Sequence, residues 1–128
     1  MTEEHVKYLE TVYPKLYSGQ YGGFAIGDGW FTIIDHLSRC IQHHLDWSKE
    51  CPPVKIEQIK EKFGGLRFYY TGGDDFIGGL VGMAESMASV TCEDCGVPGV
   101  TRQGGWIHVS CDPCEEKRLA KKNEHVKD

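Results

Sequence analysis

The stretch CEDCGVPGVTRQGGWIHVSCDPC (residues 92–114) carries two Cys-x-x-Cys pairs, with fifteen residues between Cys95 and Cys111. Paired cysteines at this spacing leave few options. A thioredoxin-type redox centre needs one pair at the strand-to-helix junction of a βαβ unit, and the segment has no room for one. A tetrahedral metal clamp explains both pairs. In C-x-x-C-G the two sulfurs approach one ion while the glycine takes a turn conformation that side chains resist. CEDCG has this form. GVPGVTR and WIHVS then read as two strands joined at QGG, returning the chain to CDPC. Cys92, Cys95, Cys111 and Cys114 are therefore predicted to hold one Zn2+ in a zinc ribbon, a closed site with no position for water. Binding free energies of ~10–16 kcal/mol in small zinc modules exceed what so short a hairpin could gain by burial. Such a site is structural. Its product is a rigid tip bearing Arg102, Gln103, Trp106 and His108. Trp106 either packs the ribbon onto the helix before it or meets a partner.

The rest of the chain supplies a core. Thr2 with Glu3 and Glu4 marks a helix start, and Pro14 ends or kinks that helix. Asp28 reads as the cap of a second helix, in which Trp30, Ile33, Ile34, Leu37, Ile41 and Leu45 recur at helical spacing until CPP stops it. VKIEQIKEK, FGG and LRFYYTG read as a β-hairpin, since Leu66, Phe68 and Tyr70 alternate with Arg67 and Tyr69. Beyond the TGGDD turn, Phe76, Leu80, Met83, Ala84, Met87 and Val90 share one helical face. Gly78, Gly79 and Gly82 interrupt it, which predicts close backbone packing or a marginal helix. The fold class is α+β: a small helix and β-hairpin core with a C-terminal four-cysteine zinc ribbon. The core spans residues 1–90, with helices at about 3–13, 30–47 and 76–90 and a hairpin at about 54–70; the ribbon and a C-terminal helix occupy 91–128.

Composition narrows the function classes. An apolar content of 40% suits a packed core. No apolar run approaches the ~20 residues that a bilayer requires, and MTEEHVKYLE lacks the layout of a secretion signal. A cytoplasmic protein is expected, with thiols or metal ligands rather than disulfides. The net charge is −5, and four thiolates on a divalent ion make it more negative still. No basic stripe of the kind that displaces counterions from a duplex is visible. KRLAKKN (117–123) follows Glu115 and Glu116 and reads as a solvated helix face.

Several further clusters have a chemical reading and a plainer one. His36, Cys40 and His44 lie at i, i+4 and i+8, with His43 beside them and Cys51 past the helix end. They could form a second metal site, but two turns span about 12 Å, too far for one ion to take all three helical ligands. The plainer reading is a core thiol and partly exposed histidines. GGDDF (72–76) superficially resembles a cyclic-dinucleotide synthase signature, but that domain is longer than this chain; Asp74 and Asp75 read as a helix cap. Asp28 and Asp35 could pair for acid–base work, but nothing completes a site. KEKFGGLRFYY interleaves cations and aromatics as single-strand binders do, although its apolar residues suit a buried sheet face.

The motif order GDGWFTII (27–34), QIKEKFGGLRFYY (58–70), MAESMASVTCEDCG (83–96) and GGWI (104–107) ahead of a last cysteine pair resembles an uncharacterised family of small phage- and prophage-type proteins. The resemblance implies a mobile-element origin and a zinc-binding C-terminal end, and it carries no catalytic residue. Members of that group can end in C-x-x-H, whereas this chain has Cys111 and Cys114. The expected function is non-enzymatic: an accessory protein that binds and modulates a host protein, inhibition of a bacterial defence complex being the narrowest form. Arg67, Tyr69, Arg102 and Trp106 are the candidate contact residues. The alternative is a nucleic-acid-binding or transcription-associated adaptor using Lys117, Arg118, Lys121 and Lys122 on phosphates.

Overall fold

The computed structural model describes residues 1–126. Its first helix, α1 (Glu3–Val12), is capped by the Thr2 hydroxyl, which accepts from His5 N at 3.3 Å. Pro14 both ends that helix and starts the next, α2 (Pro14–Tyr17), where a proline in the first turn gives up no hydrogen bond. A short strand β1 (Phe24–Ala25) and a 3-10 turn (Asp28–Trp30) lead into α3 (Phe31–Trp47). The predicted stripe of α3 is the buried one: Ile33, Ile34, Leu37 and Ile41 face the core beside Trp30.

Asp28 does not cap α3. No side chain does, and Asp28 instead accepts from Thr2 N at 2.8 Å and meets His5 Nδ1 at 3.1 Å, tying the start of α1 to the 3-10 turn. The Thr2 N–H, joined by His5, holds the Asp28 carboxyl below its ordinary range. Asp35, read with it as a possible acid–base pair, accepts instead from Tyr13 Oη at 2.6 Å.

The hairpin is β2 (Val54–Lys62) and β3 (Gly65–Gly72), antiparallel, with Ile59 opposite Phe68 and Lys60 opposite Arg67. A bulge between Ile56 and Gln58 explains the imperfect alternation of VKIEQIKEK: Val54 and Ile56 point inward, and the extra residue resets the phase so that Ile59 does too. β1 adds a parallel edge to β2, giving a three-stranded sheet in the order β1-β2-β3 that the glycine-rich sequence around it does not announce. Leu66, Phe68, Ile56 and Ile59 join the helices in one apolar cluster. The opposite face carries Arg67, Tyr69 and Thr71 across from Lys60, Gln58 and Lys55.

α4 (Asp75–Ala88) starts as predicted, with Asp74 Oδ1 accepting from Ile77 N at 3.1 Å. Its orientation corrects the sequence reading. The buried stripe is Ile77, Val81, Ala84 and Ala88, whereas Phe76, Met83, Met87 and Val90 are 56%, 64%, 50% and 61% exposed. The helix is apolar on both sides, so periodicity alone does not select the inward face. Nor do Gly79 and Gly82 serve close packing among the described residues, since a Cβ on either would meet nothing within 4 Å, and one on Gly78 would make only an ordinary contact with Tyr70 Oη at 3.8 Å. Beyond α4 come β4 (Val100–Arg102), β5 (His108–Ser110) and α5 (Asp112–Val126), with β4 and β5 forming a separate antiparallel pair. No helix among the described residues is long and apolar enough to cross a membrane.

Gly72 has φ +85, and a Cβ there would lie 1.9 Å from the Pro53 carbonyl oxygen. Gly72→Ala is therefore expected to lower stability by about 1–3 kcal/mol. Gly79→Ala, in an open helix interior, is expected to raise it by about 0.5–1 kcal/mol. Urea denaturation of the two variants against the parent checks both signs.

Candidate metal centre

The four cysteines of the two predicted pairs converge. Their sulfurs all lie within 4.8 Å of one another, with Cys95 Sγ and Cys111 Sγ 3.6 Å apart. A tetrahedral thiolate site with metal–sulfur bonds of about 2.3 Å places its sulfurs about 3.8 Å apart, whereas a disulfide requires about 2.0 Å. All six cysteines are free thiols. The donor set and its spacing fit a metal ion held by Cys92, Cys95, Cys111 and Cys114.

Local structure dictates the convergence. Cys92 and Cys95 sit on a tight knuckle closed by Gly96 N to Cys92 O at 3.0 Å and Cys92 N to Val97 O at 2.7 Å. Gly96 has φ +88, the conformation expected of the glycine in C-x-x-C-G. Cys111 follows β5 directly, and Cys114 lies in the first turn of α5, where the positive end of the helix dipole favours thiolate. Burial pushes the Cys92 thiol up, but N–H groups of Cys111, Cys95 and Asp94 aimed at its sulfur outweigh this and bring it down to about 7. The Cys114 thiol goes the other way, raised by its hydrogen bond with Cys111 and by burial. Four sulfurs this close cannot all ionise alone. A divalent cation removes the conflict by taking the place of the thiol protons.

The knuckle is seated on the core by three hydrogen bonds, one of them backbone to backbone. Gly29 N donates to Glu93 O at 2.7 Å, Gly27 N to Glu93 Oε2 at 2.9 Å, and Trp30 Nε1 to Thr91 O at 2.9 Å. A Cβ on Gly29 would lie 2.2 Å from Cys92 O, and one on Gly27 would lie 2.4 Å from Glu93 O. The GDGW motif is thus the socket of the metal module, a role its local sequence does not reveal. Burial raises the Glu93 carboxyl above its usual value, against the opposing pull of the Gly27 N–H.

The hairpin tip is also tied down. Arg102 donates to Ser110 Oγ and Ser110 O, each at 3.1 Å, and to Asp112 Oδ1 at 2.8 Å. It is therefore a brace within the ribbon, with its side chain still 23% exposed. Trp106 packs against α5 and not against the preceding helix: its ring stacks on His108 at 4.1 Å with the Arg118 guanidinium 4.8 Å from its centre. One face is covered in this way, and the residue remains 53% exposed. Glu115 gathers the network, accepting from Arg118 and from Ser110 Oγ at 2.8 Å, with His108 Nε2 also at 2.8 Å. Arg118, first, and His108 hold its carboxyl down at about 2. Of the basic residues expected to meet phosphate, Arg118 is occupied here, while Lys117, Lys121 and Lys122 are exposed.

The other predicted residues separate. Arg67 and Tyr69 lie on the outer sheet face, with Lys60 Nζ 5.6 Å from the Tyr69 ring centre. His36 and Cys40 line a groove between α3 and α4. His44 and Cys51 do meet, beside Asp74.

Stripping the ion with a chelator under reducing conditions is expected to remove amide protection from residues 91–114 while α3, β2 and β3 keep theirs. Hydrogen exchange followed by mass spectrometry measures this; unchanged protection of the knuckle would refute a metal-held module. Gly29→Ala, by forcing the knuckle off its socket, is expected to destabilise the protein by about 1–3 kcal/mol with the four thiols intact. Thermal melts of the metal-loaded protein read this out. No family model, curated protein or solved structure matches the chain, so the four converging thiols alone carry the assignment of a metal-binding module.

Proposed function

We propose that this protein is a non-enzymatic binding protein whose four cysteines hold zinc and whose α4 face docks on a host protein. The observation that carries the reading is the exposed stripe of Phe76, Met83 and Met87, continued by Val90 just past the helix end, on a helix whose other face is already committed to the core. Beside it runs a groove of about 190 Å3 lined by Ile33, His36, Leu37, Cys40, Leu80, Met83, Ala84 and Met87. A continuous apolar strip marks a surface with a partner. Methionine suits such a surface because its unbranched, polarizable chain adapts to the shape it meets. The ligands support zinc, since four thiolates in a tetrahedron favour it over harder divalent ions. With no position open, that ion stiffens and does no chemistry. The phage-type resemblance supports a bacterial host cell as the setting and a host complex, such as a defence assembly, as the target.

The test is capture of a host protein by tagged protein from bacterial lysate, run beside a Met83→Glu/Met87→Glu variant and a Trp106→Ala variant. A specific partner is expected with the parent and with Trp106→Ala. The double variant should lose it at least tenfold, with unchanged metal content and thermal midpoint. Capture of nothing above background, or undiminished capture by the double variant, would sink the reading.

A nucleic-acid-binding adaptor remains the second reading, on a specific observation: the outer sheet face presents Lys55, Lys60 and Arg67 around Tyr69. Cations about an aromatic can grip a single strand. Binding of a labelled oligonucleotide that weakens steeply with salt and is lost in Lys60→Glu would favour it.

A further inference from the structure

We infer that His44, Cys51 and Asp74 form a second metal site, open to solvent on one side, that takes a zinc-class divalent ion. Their ligand atoms lie within 4.8 Å of one another. An ion with bonds of about 2.0 Å to nitrogen and oxygen and about 2.3 Å to sulfur needs such atoms about 3.3–3.6 Å apart. His44 Nε2 and Asp74 Oδ2 are 2.8 Å apart, so an ion replacing the proton between them asks for only a small widening.

Three different elements supply the ligands, and the backbone around them brings them together. His44 stands in the last turn of α3, and its ring stacks on Phe76 at 4.4 Å, which fixes the plane in which its nitrogens lie. Cys51 opens the Cys-Pro-Pro segment between α3 and β2. Asp74 precedes α4, and its two oxygens divide the work: Oδ1 accepts from Ile77 N at 3.1 Å, while Oδ2 is turned toward His44. A carboxylate so oriented by a backbone N–H is the kind of supported ligand that metal sites use. The glycines before it allow the approach. Gly72 and Gly73 have φ +85 and +73, and Gly73 N donates to Pro52 O at 3.2 Å, which draws the Asp74 turn against the cysteine segment.

Charge and donor type agree on the ion. Imidazole, thiolate and carboxylate together suit zinc and its neighbours, whereas calcium and magnesium require oxygen throughout. Neutral imidazole with two anionic ligands balances a divalent cation, and binding releases the Cys51 thiol proton to solvent. The trio is not arranged as a thiol nucleophile, which needs imidazole as its hydrogen-bond partner. The Cys51 thiol points to the Pro52 carbonyl at 3.5 Å, and His44 Nε2 is engaged with Asp74. Three protein ligands leave a fourth position to water, which sets this site apart from the closed four-cysteine centre. The inference is independent of the docking role of α4.

Zinc, and then cobalt, is titrated into metal-free full-length protein under reducing conditions, with ions per chain counted by native mass spectrometry and cobalt–thiolate absorption followed in parallel. Two ions per chain are expected. Cys51→Ser and Asp74→Asn should each weaken the second by at least tenfold and leave the four-thiolate cobalt spectrum unchanged. Asparagine still caps a helix, so Asp74→Asn removes the anionic ligand without removing the cap, and an unchanged thermal midpoint of its one-ion form confirms this. A single ion per chain at saturating zinc overturns the inference, as does a second ion whose affinity neither substitution changes.

Discussion

The contact on which the structure turns is made by backbone, between a glycine and a peptide. Gly29 donates to the carbonyl of Glu93 at 2.7 Å while the Cys92 carbonyl occupies the space a side chain would need. Two segments more than sixty residues apart in sequence are thereby placed at van der Waals distance, and Trp30, fully buried, locks the junction by donating to Thr91 O. A metal ion held by the four cysteines would tie the knuckle to β5 and α5, and the glycine socket ties the knuckle to α3. Without the socket the metal would hold a hairpin that could swing; without the metal the socket would hold a loop that could unravel. Rigidity at the C-terminal end is thus the product of both.

The helix α4 links these parts to the surface. Its inner face closes the core against β3 and α3, its start is fixed by Asp74, and its end runs into the knuckle. Its outer face is apolar and exposed among the described residues. The backbone of so well anchored a helix has little freedom left to lose when a surface covers it, although its methionine side chains do.

How much of this was legible depends on the distance over which each signal acts. The cysteine spacing was readable because metal geometry is local at each pair, and one residue type at four positions admits few alternatives. The α3 stripe and the hairpin were readable because buried residues recur at helical spacing along the one and, apart from the β2 bulge, at every second position along the other. The short edge β1 was not, since two residues carry no periodicity. The role of GDGW was not, because its glycines answer to Cys92 and Glu93, and nothing nearby in sequence says so. The same holds for Arg102, whose partners Ser110 and Asp112 claim it only after the hairpin closes.

The sequence alone determined the α+β class, the four converging thiols, the helix caps at Thr2 and Asp74, and the register-setting apolar residues of the sheet. Each of these rests on forces acting within one element or one turn. The tertiary structure decided which face of α4 turns inward, where the metal knuckle is seated, and that His44 meets Cys51 and Asp74 while His36 and Cys40 turn to a groove. Those outcomes depend on how elements distant in the chain pack together, and packing of distant surfaces is a property that no single stretch of residues contains.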